Sequence, residues 1–296
     1  MTDPADPILR VAKLPIWTGR VEPRPLAGGI TNKNYVVEDQ GRKYVVRIGG
    51  DIRVHGIVRT TEVAASRAAH AAGVSPRVVH AEPGALVLDF IEGRTLKPED
   101  VRQPGNWPGL VDLVKRAHEA IPRFYRGPAP LFWVFQVVRD YAHSLVDLGS
   151  RHVPALPRLI AIAEKLEREV GPISLVFGHN DLLAANFLDT GDRLWLVDWD
   201  YAGFNSPLFD LGGLASNSEV GEIGAERMLE LYFDTYVDDG LRRRAAAMSA
   251  ASLLRETMWS MVSELTSDLD FDYAAYTADN LGRFEAAWRA FQEMNA

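Results

Sequence analysis

The chain has 296 residues, of which 47% are hydrophobic and 24% charged, a composition typical of globular proteins and long enough for two domains. Its net charge of −8 argues against nucleic-acid binding, and no apolar run reaches the roughly 18–20 residues that a membrane-spanning helix requires. The absence of cysteine excludes disulfides, thiolate zinc sites and a cysteine nucleophile, and favours a cytoplasmic location. The sequence carries no signal for a particular oligomeric state.

Residues 1–92 predict a small lobe rich in β-strands, with a net charge of +2. A helix is predicted to begin at Thr60 or Thr61, either of which can cap it, and to end at Gly73. The predicted strands, which form two hairpins, cover residues 35–37, 44–48, 78–80 and 85–88.

Residues 93–296 predict a larger, mostly helical lobe with a net charge of −10. Its apolar residues recur with a spacing near 3.6, and a short β-rich region over residues 175–197 interrupts the helices. The predicted helices cover residues 107–120, 131–148, 156–170, 207–215, 223–236, 241–265 and 273–294. The sequence therefore predicts an α+β chain of two lobes that meet at a hinge near residues 92–93.

The densest motif is F-G-H-N-D-L-L-A-A-N at residues 177–186, which has the form H-x-D-x-x-x-x-N. Asp181 is a carboxylate that can orient and deprotonate an attacking hydroxyl. Asn186, together with Asp198 twelve residues later at the end of an apolar strand, offers the oxygen ligands that Mg²⁺ prefers. This spacing is typical of a kinase catalytic loop followed by its metal-binding aspartate.

Residues on the nucleotide side are predicted in the small lobe. Arg47 lies on the second predicted strand, where a cation can hold phosphates and Glu62 of the next helix can pair with it; an arginine on an exposed edge strand is the alternative. A segment before the first hairpin, in which glycines let the backbone approach phosphate or simply form a turn, contains Gly28, Gly29, Thr31 and Asn32.

These motifs, in this order, resemble the choline/ethanolamine kinase branch of the kinase-like aminoglycoside phosphotransferase superfamily. The resemblance extends from about residue 26 to about residue 265 and includes the Phe-Asp-Leu-Gly segment at residues 209–212. It implies a bilobal protein-kinase-like fold, ATP and Mg²⁺ as cofactors, and a small alcohol as acceptor. It also implies that adenine hydrogen-bonds to the backbone near Asp89, Phe90 and Ile91. Asn217 departs from the family, which often has a carboxylate at this position.

The acceptor is predicted from aromatic residues, since a quaternary ammonium donates no hydrogen bond and is held by aromatic faces and a carboxylate. Tyr201 stands where the resemblance places a tyrosine facing choline. Trp259 lies in a segment, residues 254–261, that is similar to the tryptophan-bearing helix of choline kinases. Together with Asp181 and Asp200, these residues predict an ATP-dependent kinase of a small cationic alcohol, with choline as the preferred acceptor.

Three alternatives remain open. An ethanolamine or thiamine kinase would keep the catalytic machinery and alter the ammonium site. An aminoglycoside phosphotransferase would instead use clustered carboxylates such as Asp268, Asp270 and Asp272. A catalytically inactive nucleotide-binding module is disfavoured, because the catalytic loop and its metal-binding aspartate are intact.

Overall fold

The computed structural model of the chain describes residues 6–26 and 32–294, so the predictions for Gly28, Gly29 and Thr31 lie outside the described residues. The strands of the small lobe are β1 (Arg24–Leu26), β2 (Lys33–Asp39), β3 (Arg42–Ile48), β4 (Val78–Glu82) and β5 (Ala85–Asp89). Among the described residues they form an antiparallel five-stranded sheet in the order β1-β2-β3-β5-β4. Helix α1 (Pro7–Ala12) contributes Val11 to the apolar cluster on this sheet.

Helix α2 (Arg59–Ala71) connects β3 to β4, and its start differs from the prediction. The predicted caps Thr60 and Thr61 are wrong, because the helix begins at Arg59 after an extended Val58 that makes no side-chain cap. Asp51 accepts the Arg59 N–H at 2.9 Å and satisfies one of the open donors of the first turn. Arg59 and Glu62 therefore both lie in the first turn of α2.

The large lobe contains α3 (Pro98–Val101), α4 (Trp107–Phe124), α5 (Val134–Asp147), α6 (Leu156–Val170), α7 (Pro207–Asn217), α8 (Glu222–Phe233), α9 (Asp239–Thr266) and α10 (Tyr273–Glu293). Helix α4 runs past its predicted end and includes Pro122 in its last turn. Helix α5 starts later than predicted, because Leu131 forms a β-bridge with Phe204. Helix α9 is the centre of the lobe, and between Ala247 and Ser263 all of its residues except the half-buried Ser249 and Glu256 are buried.

Short strands interrupt the helices: β6 (Arg94–Thr95), β7 (Val176–Gly178), β8 (Phe187–Asp189), β9 (Leu194–Leu196) and β10 (Gly203–Asn205). Neither β6 nor β10 was predicted from the sequence. Strand β10 pairs with β7, and β8 pairs with both β6 and β9. These pairings bring the segments that follow β7 and β9 together, and those segments carry the predicted catalytic residues. The predicted α+β class is confirmed.

None of the helices in the described part of the chain combines the length and the apolar character needed to cross a membrane.

Candidate active site

The loop after β7 is held by a buried carboxylate, that of Asp210 at the start of α7. Its two oxygens accept the backbone N–H groups of His179 and Asn180, each at 2.7 Å, and His118 Nε2 lies 2.8 Å away. Burial by itself raises the pKa of Asp210, but these hydrogen bonds and the nearby histidines hold it below its usual value. Gly178, the last residue of β7, leaves room for this loop, because a Cβ there would lie 2.7 Å from the Asn180 side-chain oxygen.

The same loop is joined to the segment that follows β9. The Asn180 amide donates to the carbonyls of Tyr201 and Gly203 at 2.9 and 3.1 Å. His179 Nε2 lies 2.9 Å from the Val197 carbonyl, and its ring lies 4.8 Å from that of Trp199. His179 therefore has a structural role, since it ties the catalytic loop to the residue before Asp198.

Asp181 follows this anchored turn. About a quarter of its side chain is exposed, and Asn186 Nδ2 donates to its backbone carbonyl at 2.8 Å. Burial, with help from the carboxylates of Glu256, Asp198 and Asp200, raises the pKa of Asp181 to about 7, although Arg255 opposes the shift. A carboxylate with a pKa near neutrality is well suited to accept a proton from a hydroxyl.

Asn186 directly precedes β8 and Asp198 follows β9, and the two segments are joined by the Val197 N–H, which donates to the Asn186 carbonyl at 3.0 Å. Asp198 adopts a left-handed backbone with φ of +73°, a conformation that costs energy in a non-glycine residue and is concentrated at functional sites. The Asn186 amide nitrogen is used by Asp181, which leaves its oxygen as the ligand atom. One carboxylate and one amide oxygen form a donor set that fits Mg²⁺.

Arg47 connects this site to the small lobe. Its guanidinium lies 2.9 Å from Glu62, 2.7 Å from Asp198 and 3.2 Å from Asp200. Arg59, which the sequence analysis missed, lies 2.8 Å from Glu62 and 2.9 Å from Asp200. Burial raises the pKa of Glu62 to about 7 against the opposing effect of the two arginines. Two cations and three carboxylates thus form one network, in which the small lobe contributes Arg47, Arg59 and Glu62.

Asp200 is placed among small-lobe residues. Besides the two arginines, it accepts a hydrogen bond from Asn32 Nδ2 at 3.1 Å. Asp200 was predicted to bind the acceptor and Asn32 the nucleotide, whereas the structure brings the two side chains together.

The predicted adenine-binding segment follows β5. The Phe90 N–H donates to the Lys43 carbonyl at 3.2 Å, and the Asp89 N–H donates to the Arg77 carbonyl at 3.0 Å. These two N–H groups are therefore used within the small lobe. Lys43 also places its ammonium 5.6 Å from the centre of the Phe90 ring.

Tyr201 and Trp259, the predicted acceptor residues, are adjacent and buried. Trp259 Nε1 donates to the Tyr201 hydroxyl at 2.9 Å. Rings from α10 complete the cluster, with Tyr273 and Tyr276 at 6.1 and 6.5 Å from Trp259 between ring centres. The Tyr276 hydroxyl donates to Glu256 at 2.8 Å, so a carboxylate lies at the edge of this aromatic cluster.

Two further residues of this cluster were missed by the sequence analysis. The guanidinium carbon of Arg255 lies 4.4 Å from the centre of the Tyr201 ring, and Nη1 lies 3.5 Å from Asp181. His55, from the connection between β3 and α2, places its ring 5.0 Å from that of Trp259 at 30°. The available signal was weak: Arg255 and its neighbour Glu256 are the charged residues of the stretch 245–263 in α9.

The acidic residues that were candidates for binding an aminoglycoside form a helix cap or lie exposed at the surface. Asp272 caps α10 by accepting the Ala275 N–H at 2.9 Å, while Asp268 and Asp270 are exposed. Asn217, which replaces the family's frequent carboxylate, donates to the Leu182 carbonyl at 3.3 Å and so contacts the catalytic loop.

Comparison with known proteins identifies the family. A family model described as choline/ethanolamine kinase matches residues 24–217. Protein LicA of Haemophilus influenzae is 26% identical over 276 residues, which cover 90% of this chain and 79% of that protein. Ethanolamine kinase 2 of Rattus norvegicus is 24% identical over 294 residues, covering 90% of this chain and 76% of that protein.

Solved structures agree. A choline/ethanolamine kinase family protein from Mesorhizobium loti superimposes with a TM-score of 0.78 at 28% identity, covering 97% of this chain and 95% of that one. A spectinomycin phosphotransferase solved with ADP and spectinomycin shares the fold, with a TM-score of 0.63 at 13% identity over 94% of this chain and 95% of that one. The predicted bilobal kinase-like fold is confirmed. The family match covers more than half of the sequence, and the chain belongs to the choline/ethanolamine kinase family of enzymes that phosphorylate an alcohol.

Proposed function

We propose that this chain transfers the γ-phosphoryl group of ATP, with Mg²⁺, to the hydroxyl of a small cationic alcohol, and that choline is the first candidate. The observation that carries the proposal is the joining of Arg47 to Asp198 across the two lobes, beside the loop that presents Asp181. A phosphate-binding cation, a metal-binding carboxylate and a base are the parts that phosphoryl transfer requires.

Asp181 is the proposed catalytic base. Its carboxylate would accept the proton of the acceptor hydroxyl as that oxygen attacks the γ-phosphorus and the bond to the β-phosphate oxygen breaks. The Asp210 hydrogen bonds that fix the preceding turn would hold the carboxylate in place, which is a large part of catalysis in this reaction.

Asn186 and Asp198 are the proposed Mg²⁺ ligands. Within the described ranges, no group of three His, Cys, Asp or Glu side chains could hold a metal on its own. The two oxygen donors therefore suit an ion that shares its remaining positions with nucleotide phosphates and water. When bound, Mg²⁺ would neutralise negative charge on the phosphates.

Arg47 is the proposed partner of the phosphates, braced by Glu62, with Asn32 nearby. Because the Asp89 and Phe90 N–H groups are used within the small lobe, adenine would contact the Phe90 carbonyl and the Ile91 N–H. The predicted contributions of the glycine-rich segment at residues 28–31 stay predictions.

The acceptor would lie against the aromatic cluster near Asp181. Choline is the first candidate because its quaternary ammonium needs aromatic faces, which Trp259, Tyr201 and Tyr276 can provide. Ethanolamine is the second, because Glu256, already bonded to Tyr276, is a carboxylate that can accept hydrogen bonds from a primary ammonium. An aminoglycoside ranks lower, since Asp272 of the acidic cluster is used as a helix cap.

The test is ADP release from MgATP with choline, ethanolamine, thiamine and kanamycin as separate acceptors. Turnover that is fastest with choline supports the first candidate, and turnover that is fastest with ethanolamine replaces it with the second. Turnover that is fastest with thiamine keeps a cationic alcohol as the acceptor class but removes choline as the first candidate. Preference for kanamycin, or no turnover with any of the four, overturns the proposal. The Asp181→Asn variant, prepared identically, excludes a contaminating kinase as the source of ADP.

A further inference from the structure

Arg255 is a buried cation placed on an aromatic face of the candidate acceptor site. It is only 4% exposed, and its guanidinium carbon lies 4.4 Å from the centre of the Tyr201 ring and 5.8 Å from that of Phe132. A cation over a tyrosine ring at this distance is a cation–π contact. Arg255 therefore covers one face of the Tyr201 ring with a charge of the chain itself.

The hydrogen bonds of Arg255 are incomplete. Nη1 donates to Glu256 at 2.8 Å and lies 3.5 Å from Asp181, whereas Nε and Nη2 are buried and have no hydrogen-bond partner among the residues that the structure describes. Unsatisfied buried donors cost free energy, more so when they are charged. The guanidinium is thus stabilised mainly by one carboxylate, a second at longer range and the ring of Tyr201, and another cation could replace it over that ring.

We propose that Arg255 occupies the ammonium position on Tyr201 in the acceptor-free chain, and that a quaternary ammonium must displace it to bind there. Arg255 is then a residue that determines specificity for the acceptor. This inference rests on the proposed function, because it concerns the same acceptor site.

The discrimination follows from the chemistry of the two ammonium types. A quaternary ammonium cannot donate a hydrogen bond, so it depends on the ring face that Arg255 covers. A primary ammonium can donate to Glu256 without using that face, so Arg255 hinders it less. Removing Arg255 should therefore favour a quaternary ammonium over a primary one.

Tetramethylammonium and methylammonium test this inference, because both are cations without a hydroxyl and act as inhibitors rather than acceptors. Their inhibition constants would be measured against the best acceptor in the wild type and in Arg255→Met and Arg255→Gln variants. We expect the constant for tetramethylammonium to fall about tenfold more than that for methylammonium, equivalent to about 1.4 kcal/mol. The ratio of choline to ethanolamine kcat/KM should rise to a similar extent.

Two control variants distinguish the effect of uncovering the Tyr201 ring from the effect of removing a positive charge anywhere in the chain. Arg255→Lys keeps a cation and should leave the inhibitor ratio near that of the wild type. Arg158→Met removes an exposed arginine of α6 that pairs with Glu285, nine residues after Tyr276 on α10, and should change neither constant. Equal falls for both inhibitors, or no fall in either, would overturn the proposal.

The inference remains testable if Arg255→Met does not fold, because the Gln and Lys variants alone give the comparison of neutral and cationic side chains. If the wild type phosphorylates none of choline, ethanolamine and thiamine, the proposed function fails by itself. Binding of the two inhibitors to the wild type and to the Arg255→Gln variant, measured by calorimetry, then tests without turnover whether Arg255 competes with a quaternary ammonium for the face of Tyr201.

Discussion

Arg47 Nη2 and Asp198 Oδ1 lie 2.7 Å apart, which pairs a small-lobe cation with a large-lobe carboxylate 151 residues away along the chain. In the proposed reaction both groups exchange this partner, since Arg47 would meet phosphate and Asp198 would meet Mg²⁺. The nucleotide and its metal would therefore replace an existing ion pair. Arg47 and Asp198 would each keep a neighbour of opposite charge throughout the exchange.

Arg47→Met should raise the KM for ATP by about 10- to 100-fold, because it removes a buried charge from the phosphate site. The KM for the acceptor should change much less, since Arg47 is bonded to Glu62, Asp198 and Asp200 rather than to the aromatic cluster. Steady-state kinetics with each substrate varied in turn check this. A larger effect on the acceptor KM would remove Arg47 from the phosphate site.

Asp181→Asn should lower kcat by about 10²–10⁴-fold while ATP binding is retained, because the amide cannot accept the hydroxyl proton. Turnover and ATP binding by calorimetry check the two halves of this prediction. Asp140→Asn, an exposed change on α5, is the matched control and should have wild-type kinetics. Retention of most of the activity would show that another group accepts the proton.

Trp259→Phe should raise the acceptor KM several-fold and leave the ATP KM nearly unchanged, because it removes the hydrogen bond to Tyr201 and part of the aromatic surface. Tyr201→Phe breaks the same hydrogen bond. The loss of acceptor-binding free energy in the double variant should therefore be smaller than the sum of the losses in the two single variants. Trp288→Phe on α10 controls for the loss of a buried indole. Equal effects on both KM values would exclude Trp259 from the acceptor site.

Acid should destabilise the chain through His55. Burial, with a smaller effect from Arg255, lowers the pKa of His55 to about 3, against 6.5 for the exposed group. The unfolded state therefore binds a proton at higher pH than the folded state does, and stability is lost as pH falls from 6.5 toward 3. By pH 5 this loss is about 2 kcal/mol. Urea unfolding at pH 7.5 and pH 5 should show a smaller difference in His55→Gln than in the wild type.

The sequence was sufficient for features that depend on local pattern. The strand–loop–hairpin spacing of Asp181, Asn186 and Asp198 survives in the structure, because β7 to β9 are consecutive and the loop between them is short. Helix α6 has the predicted bounds, since its apolar residues recur regularly between helix-breaking residues. Such features need no information from distant segments.

Features that depend on distant partners could not be predicted. Arg59 lies three residues before Glu62, which was visible, but its second partner, Asp200, is 141 residues away. The threonine caps predicted for α2 were wrong because Asp51, eight residues before the helix, supplies the acceptor instead. The position of Arg255 over Tyr201 likewise depends on how α9 meets the segment after β9.

The ion-pair network between the lobes also restricts how hybrid enzymes can be assembled from relatives. Arg47, Arg59 and Glu62 come from one lobe, and Asp198 and Asp200 come from the other. A hybrid that exchanges one lobe without preserving these five charges would bury an uncompensated charge at the junction, which is strongly destabilising. Recombination between family members at this junction is therefore expected to succeed only when the donor lobe carries the matching charges.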